Sequence, residues 1–412
     1  MTESNLGQLD LVVKNARLFD GASMREGTYS VGIRRDKIEV LEARGSEMTG
    51  KMEIDGTGRF LMPGLIDCHI HLFDFLNLKS QEALDTFIEG PLHEHLRNFL
   101  EAGVTTVKSV GDSEDDILMV REMLANNAIS GPRLFATGPC FNAPGSHPRT
   151  TVYGRNPWYG ARATVEPDSP SAAREKVRRL AEWNVDAIKI IHHGGCRHGG
   201  PPYLMKLGGL NLNDVEIFKL DPLVLQAIID EAHKNGLKAT VHTFDEAEAI
   251  AALEAGADGL EHGVMTQRLR GERLIQLLLA NRATLVPTLW LLTFDKSATE
   301  VRFANLKQVA DAGVRVAIGT DSFIGFGKFG ENTIVEMERA TQAGIEAAKV
   351  LKMATKDAAE HLGASRLGTV APGQFADLIL VDGDPCTTIG ALRNLSTVIK
   401  DGKIVVNKRA PA

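Results

Sequence analysis

The chain has 412 residues, of which 43% are hydrophobic and 24% charged, and its 46 basic and 53 acidic residues give a formal net charge of −7. This composition is typical of a globular protein with a large core, and the acidic balance argues against nucleic acid or an anionic membrane as the main partner. The polar N-terminus lacks the features of a secretory signal, and no segment is predicted to span a membrane. We therefore expect a cytoplasmic protein whose four widely spaced cysteines are reduced.

Short β-type runs with Gly or Asn turns occur at both ends of the chain. They lie within residues 11–60 near the start and within residues 376–406 near the end. We interpret residues 1–60 and 366–412 as one small β-sandwich domain that both termini build together.

In residues 61–365, short apolar runs alternate with longer amphipathic stretches, the pattern of β/α units around a parallel sheet. Eight runs are strand candidates, and eight parallel strands close a barrel. The sequence therefore predicts an α/β fold, a (β/α)8 TIM-type barrel. The strand candidates are Leu65–His71, Thr105–Val110, Arg133–Gly138, Ala187–Ile191, Lys238–Phe244, Gly259–His262, Thr284–Leu289 and Arg315–Thr320. The predicted helices include Ser171–Trp183, Pro222–Asn235, Asp245–Ala255 and Glu331–Thr341.

Metal-binding residue types lie at the ends of four of these strands. His69 and His71 are two positions apart in a strand, so both side chains face the same side and can bind one ion. His242 and His262 end the fifth and sixth candidates, and Asp321 follows the eighth. Since the carboxyl ends of barrel strands converge on the active site, we predict that these side chains form a metal centre.

Lys189 lies within the fourth strand candidate, where alternation places it on one face with Ala187 and Ile191. If that face is the barrel interior, burial lowers the pKa of its ammonium group and frees the amine. A free amine can react with carbon dioxide to form a carbamate, whose two oxygens can bridge two metal ions. The sequence therefore predicts N6-carboxylysine at Lys189.

With these residues, the chain resembles the amidohydrolase superfamily over nearly its whole length. The resemblance runs from Pro63-Gly64-Leu65-Ile66-Asp67-Cys68-His69-Ile70-His71, through Ile318-Gly319-Thr320-Asp321, to residues 367–377. Within the superfamily it is similar to the branch of prolidase-like and Xaa-Lys/Xaa-Arg metallo-dipeptidases and ochratoxin-cleaving carboxypeptidases.

The resemblance implies a site with two divalent ions. His69 and His71 would hold one ion, His242 and His262 the other, and carboxylated Lys189 would bridge them. Asp321 would bind the first ion and carry the proton. The His-rich set favours zinc, with manganese or cobalt as alternatives.

With this ligand set, the resemblance implies hydrolysis of an amide bond in a small molecule such as a dipeptide or N-acyl amino acid. Two ions that share a water lower its pKa and generate a bridging hydroxide, which attacks the scissile carbonyl. Asp321 would accept the water's proton and return it to the leaving nitrogen. Relatives with this barrel commonly associate, so we also expect a homo-oligomer.

Four further residues are candidates for substrate contact. His147 follows the third strand candidate, and the resemblance makes it a hydrogen-bond donor to the substrate carbonyl. Arg197 could bind a substrate carboxylate through both nitrogens, and Tyr203 is a weaker candidate. Lys328 lies in the glycine-rich segment 325–330, which we interpret as a loop over the barrel mouth. His361 falls in a helical pattern and is expected to be a surface or packing residue.

Three other functions remain open at this stage. A one-metal deaminase or dechlorinase on the same scaffold would lack the bridging lysine and carry Glu three positions after its third histidine, where this chain has Asp245 followed by Glu246. A lactonase or phosphotriesterase would use the same hydroxide. A non-catalytic relative is disfavoured, because the predicted set of ligands is intact.

Overall fold

The computed structural model describes residues 8–43, 47–194, 217–294 and 296–409. Its strands are β1 (Leu9–Phe19), β2 (Met24–Arg34), β3 (Lys37–Ala43), β4 (Gly50–Asp55), β5 (Phe60–Pro63), β6 (Leu65–Ile70), β7 (Val104–Ser109), β8 (Arg133–Ala136), β9 (Cys140–Phe141), β10 (Thr164–Val165), β11 (Ala187–Ile191), β12 (Lys238–His242), β13 (Gly259–Glu261), β14 (Thr284–Val286), β15 (Arg315–Val316), β16 (Leu378–Val381), β17 (Leu395–Lys400) and β18 (Lys403–Asn407).

Helices lie between the strands of the middle segment. They are α1 (Gln81–Glu89), α2 (Pro91–Glu101), α3 (Glu114–Ala125), α4 (Pro157–Ala163), α5 (Pro170–Glu182), α6 (Pro222–Lys234), α7 (Glu246–Glu254), α8 (Arg273–Ala280), α9 (Thr299–Asp311), α10 (Glu331–Gln342), α11 (Ala347–Met353) and α12 (Lys356–Leu362). Two 3₁₀ helices span Leu289–Thr293 and Ile389–Asn394.

The two ends of the chain form one eight-stranded sheet in the order β18-β17-β16-β5-β1-β2-β3, with β4 beside β1. The ends join where β5 pairs antiparallel with β16. Apolar residues from both ends, such as Leu11, Val31 and Leu378, pack into a common buried cluster. Both ends therefore share one sheet, while the sandwich arrangement and the domain limits stay predictions.

The middle of the chain forms two parallel sheets, one in the order β10-β9-β11-β12-β13-β14-β15 and one in the order β6-β7-β8. The predicted α/β class with a parallel sheet is confirmed. Every residue of β6, β7 and β11 is buried, as expected of strands covered on both faces.

Backbone hydrogen bonds also connect the segments at the sheet ends. The amide of Cys68 donates to the carbonyl of Ile318 over 2.8 Å, and the amide of Asp321 donates to the carbonyl of His69 over 2.8 Å. These bonds join β6 to the segment after β15. The predicted last strand, Arg315–Thr320, is regular only as far as Val316.

Local sequence signals begin the helices that surround the parallel strands. Helix α5 begins with Pro170 after Ser169, whose hydroxyl accepts a hydrogen bond from the amide of Ala172. Helix α7 begins with a capping box, in which Asp245 and Glu248 each accept a hydrogen bond from the other's backbone amide. These caps fix where each helix leaves the preceding strand, and so where the strand-end side chains lie.

In the part of the chain that is described, no helix is both long and apolar enough to cross a membrane. Cys68, Cys140 and Cys386 are free thiols, as expected.

Candidate metal centre

One pocket contains most of the side chains that the sequence predicts for the site. The pocket has an empty volume of about 520 Å³ and lies at the carboxyl ends of the parallel strands. The predicted residues that line it are His69, His71, His147, Lys189, His242, His262 and Asp321.

The first group consists of His69, His71 and Asp321. The Nε2 atoms of His69 and His71 lie 3.2 and 3.0 Å from the same oxygen, Oδ1 of Asp321. One nitrogen or oxygen from each residue falls within 4.8 Å of the others. Two imidazole nitrogens and a carboxylate oxygen at this separation are a donor set that suits zinc.

The second group consists of His242, His262 and Lys189. The His242 and His262 ring centroids are 4.4 Å apart, and Nδ1 of His262 lies 4.0 Å from Oδ2 of Asp321, so the two groups adjoin. Nζ of Lys189 and Nε2 of His242 are buried and make no hydrogen bond to the described residues; the same is true of Nε2 of His69. Buried nitrogens without partners are costly, and metal ligation or modification would satisfy them.

Burial favours the uncharged forms of the second group. It lowers the pKa of His242 and of His262 well below the usual value, and it lowers the pKa of the Lys189 ammonium. Neutral imidazoles are the form that binds metal, and a neutral amine is the form that reacts with carbon dioxide. The electrostatics therefore fit a metal centre with a modified lysine.

Asp321 keeps its negative charge. Burial raises the pKa of this carboxyl, but the adjacent imidazoles, above all that of His69, outweigh burial, so the pKa lies well below its usual range. An ionised carboxylate can bind a cation and accept a proton.

Unusual backbone geometry directs two of these side chains into the pocket. His262 and Asp321 have φ angles of 66° and 58°, in the left-handed region that residues other than glycine rarely adopt. Such conformations cluster at active sites, where the surrounding structure holds them. Gly319 permits the close approach of this segment to β6, because a Cβ at that position would lie 2.9 Å from Cβ of His69.

Comparison with known proteins identifies the family. Residues 60–405 match the model of the amidohydrolase family. The chain belongs to this family. Ochratoxinase from Aspergillus niger is 24% identical over 382 residues, covering 84% of this chain and 75% of its own. A crystal structure of a Xaa-Pro dipeptidase with bound methionine has a TM-score of 0.78 at 23% identity, covering 96% of this chain and 99% of its own. The structure of A. niger ochratoxinase has a TM-score of 0.79 at 19% identity and covers 98% of each chain.

Membership confirms the predicted resemblance and the prediction of a hydrolase that acts on amide bonds. The amidohydrolase superfamily is metal-dependent, which agrees with the His69, His71 and Asp321 cluster.

Several residues that support the amidohydrolase site carry no signal in the sequence that singles them out. The buried Asp67 carboxylate accepts hydrogen bonds from the amides of His69 and Thr320 and from the Thr333 hydroxyl, over 3.2, 3.1 and 2.8 Å. It thereby joins β6, the segment before Asp321 and helix α10. The sequence shows that Asp67 lies beside the His-x-His motif, but it does not show which residues donate hydrogen bonds to Asp67.

A second supporting contact holds His262. Its Nδ1 lies 2.8 Å from the Thr288 hydroxyl, so its Nε2 is the nitrogen left for a ligand. The Arg302 guanidinium donates to the carbonyl oxygens of Pro287 and Thr288 over 2.6 and 2.8 Å. Thr288 itself has a φ of 49°.

The predicted substrate contacts divide into three cases. His147 lines the pocket, with Nδ1 2.7 Å from the Thr151 hydroxyl, and burial lowers its pKa to about 3, so it is neutral. Lys328 is not among the pocket residues: its exposed ammonium lies 3.4 Å from Glu101. The predicted substrate contact of Lys328 therefore gains no support from the pocket lining. Arg197 and Tyr203 lie outside the described residues.

The wall of the pocket beyond His71 is apolar and largely aromatic. Phe75 lies beside His71, with ring centroids 6.0 Å apart, and packs against Tyr153 and Phe323 at 5.6 and 5.4 Å. Val110 and Val152 complete this side of the pocket. We call Phe75, Tyr153 and Phe323 the aromatic wall.

Proposed function

We propose that this amidohydrolase is a two-metal enzyme that cleaves an amide bond in a dipeptide or N-acyl amino acid. One observation carries the proposal: six ligand-type side chains from five strand ends line one pocket, and four of them have buried nitrogens without hydrogen-bond partners among the described residues.

In this proposal, His69, His71 and Asp321 would hold one ion, and His242 and His262 would hold the other. Lys189, as N6-carboxylysine, would supply two further oxygen ligands. The neutral Nζ of Lys189 attacks the carbon of CO₂, an N–C bond forms, one C–O π pair moves onto oxygen, and one N–H proton leaves to solvent. The product is a carbamate anion with two oxygens. Zinc is the ion that we propose, because nitrogen ligands dominate the set.

When bound, the ions lower the pKa of a coordinated water and polarise the scissile carbonyl. Asp321 acts first as the general base and takes a proton from the attacking water. As the C–N bond breaks, Asp321 gives that proton to the leaving nitrogen, so the products are a carboxylic acid and an amine. In this proposal, the neutral His147 donates a hydrogen bond to the substrate carbonyl.

We also propose that the parallel strands close into an eight-stranded barrel, with residues 61–365 as the barrel and residues 1–60 and 366–412 as a terminal β-sandwich domain. The bonds from Cys68 to Ile318 and from Asp321 to His69 support closure on one side. The 2.8 Å bond from the amide of Asp186 to the carbonyl of Ala136 supports it between β8 and β11.

The aromatic wall supports a substrate with an apolar group next to the scissile bond. Phe75, Tyr153 and Phe323 are each less than 5% exposed, and aromatic side chains contribute large apolar contact areas. The names of two relatives, ochratoxinase and Xaa-Pro dipeptidase, suggest amides of amino acids as the first class to test. We propose amides that carry an aromatic or branched aliphatic side chain.

The test is to load purified protein with zinc, count the ions by mass spectrometry of the metals, and assay dipeptides and N-acyl amino acids. We expect two ions per chain and hydrolysis of amides with apolar side chains. A chain that binds two ions but hydrolyses only esters or lactones would contradict the proposed substrate class.

A one-metal enzyme is the second candidate, since one observation favours it. Among the described residues, only His69, His71 and Asp321 place their ligand atoms within 4.8 Å of one another. One tightly bound ion per chain, together with ammonia release from an amino-substituted heterocycle, would establish this alternative.

A further inference from the structure

A line of buried polar side chains continues from His69 into the core below the pocket. Nδ1 of His69 lies 2.7 Å from Oε2 of Glu261. The other oxygen, Oε1, accepts hydrogen bonds from the Thr240 hydroxyl at 2.7 Å and the Lys108 ammonium at 3.2 Å. Nζ of Lys108 also lies 2.8 Å from Nε2 of His361. Lysine only donates, so that nitrogen of His361 is an acceptor.

The four side chains beyond His69 come from different elements and are enclosed. Lys108 is on β7, Thr240 on β12, Glu261 on β13 and His361 on α12. Their exposed fractions range from 0 to 5%. None of the four lines the pocket, and the contact between His69 and Glu261 joins this line of residues to the site.

Stability alone is a poor reason for such a cluster. A buried ion pair often stabilises a protein no more than apolar residues of the same size would, because both charges lose their hydration. The Lys108–Glu261 pair is therefore better explained by what it does to its neighbour. That neighbour is a side chain of the candidate metal centre.

Glu261 determines which nitrogen of His69 is available. An ionised carboxylate can only accept, so the 2.7 Å contact requires the proton on Nδ1 of His69. In the neutral ring, Nε2 then carries the lone pair. This nitrogen faces the pocket, 3.2 Å from Oδ1 of Asp321, and makes no hydrogen bond to the described residues.

We propose that Glu261, held by Lys108 and Thr240, is a positioning residue that fixes the tautomer and ring orientation of His69 for metal binding. The inference rests on the proposed metal-dependent function, but it holds for one ion or two. Lys108 and Thr240 act one step further away, since they occupy Oε1 and leave Oε2 for His69.

The variant that tests this is Glu261→Gln, which keeps the shape but replaces one oxygen with an NH₂ group. If the NH₂ group faces Lys108, two donors meet; if it faces His69, it forces the proton onto Nε2. We expect zinc binding to the metal-free protein, measured by competition with a coloured chelator, to weaken about 10- to 100-fold for one site. A wild-type affinity in this variant would overturn the proposal.

A second variant separates positioning from general damage to the core. In Lys108→Met combined with Glu261→Gln, no ammonium opposes the NH₂ group, so the carbonyl oxygen can turn to His69. On a logarithmic scale, we expect the double variant to recover at least about half of the zinc affinity that Glu261→Gln loses. We expect Thr240→Val alone to weaken zinc binding about 2- to 10-fold. Thr240→Val is nearly isosteric and keeps the test available if the Gln variant does not fold. Unchanged affinity in Thr240→Val together with no recovery in the double variant would contradict the proposal.

The matched control is Glu336→Gln. Glu336 is also 0% exposed, but its carboxylate accepts from the backbone amide of Trp290 and lies outside the pocket lining. We expect its zinc affinity to equal that of the wild type. An equal loss in both Gln variants would show a general effect of the substitution and reject the specific role of Glu261. The proposed function fails separately, if the wild-type protein binds zinc and cleaves no amide.

Discussion

The surroundings of Lys189 do not suit an unmodified lysine side chain. It is 2% exposed, and its Nζ has no hydrogen-bond partner among the described residues, an arrangement that costs free energy for an unmodified amine. A carbamate that binds metal would resolve this cost.

We expect Lys189→Ala to lower amide hydrolysis at least about 100-fold while the melting temperature of the metal-free protein stays the same or rises. Steady-state kinetics and thermal denaturation measure these two effects, and zinc counts test the bridging role. Lys176→Ala is the control, because Lys176 pairs with Glu114 away from the pocket. Full activity in Lys189→Ala, with two ions still bound, would eliminate the bridging role.

Phe323 belongs to the aromatic wall, which we propose to contact the side chain of the substrate. We expect Phe323→Ala to lower kcat/KM about 10-fold for an amide with an aromatic side chain and much less for the matching alanine substrate, because apolar contact area is lost. Phe326→Ala is the control, since Phe326 packs on Phe323, with centroids 5.1 Å apart, but does not line the pocket. Equal losses on both substrates would show that the wall does not select the side chain.

At the scale of elements, helix α10 and the 3₁₀ helix Leu289–Thr293 meet around the Glu336 carboxyl. Burial raises the pKa of Glu336 from 4.5 to about 8. The folded state therefore retains this proton between these two pH values, while the unfolded chain loses it.

Because the pKa of Glu336 is higher in the folded state, its contribution to stability is complete below pH 4.5 and is lost as the pH rises to about 8. Glu336→Gln cannot ionise, so we expect its free energy of unfolding to rise relative to wild type by about 1 kcal/mol per pH unit over this range. Urea denaturation at pH 5, 6, 7 and 8 gives this difference. A constant difference across the series would mean that Glu336 is already ionised.

The strands and helices of the parallel sheets could be predicted from the sequence, because buried strands and amphipathic helices differ in length and periodicity. Ala187–Ile191 has the predicted bounds, and α10 extends one residue beyond the prediction. The last strand was overestimated, since residues after Val316 bond to β14 on one side and to β6 on the other without regular pairing.

The ligand-type residues could be predicted since they end strands, and strand ends converge in this class of fold. The residues behind them could not. Lys108 and Glu261 are 153 positions apart in the sequence. The alternation of residues in a strand shows which face of the sheet a side chain lies on, but not which side chain of another strand it contacts. For a related reason the role of Lys328 stays a prediction, because a glycine-rich loop has no periodicity that indicates the direction of its side chains.

At the scale of the whole molecule, Arg133 connects the parallel strands to the terminal sheet. From β8, its guanidinium lies 3.3 Å from Asp377 and also pairs with Asp401. It stacks on the Phe375 ring, with 4.5 Å between the guanidinium carbon and the centroid. Asp377 is almost fully buried, and it would lose this partner if Arg133 were removed.

We expect Arg133→Met to lower the free energy of unfolding by about 2 kcal/mol, less than for a fully enclosed pair, because the Arg133 side chain is 26% exposed. Zinc content should not change. Arg273→Met, which removes the exposed pair with Glu254, should cost less than about 1 kcal/mol. Equal stability of both variants would show that this contact does not join the two parts of the protein.

The aromatic wall and the proposed metal-binding side chains belong to different parts of the backbone. His69, Lys189 and His242 are on strands, whereas Phe75, Tyr153 and Phe323 are on connecting segments after strands. Combinatorial libraries at the three aromatic positions should therefore yield new substrate preferences while the hydrolytic step survives. Random replacement of Glu261 or Lys108 should instead produce inactive proteins, although neither residue touches the substrate. For engineers, the loops are the place to begin.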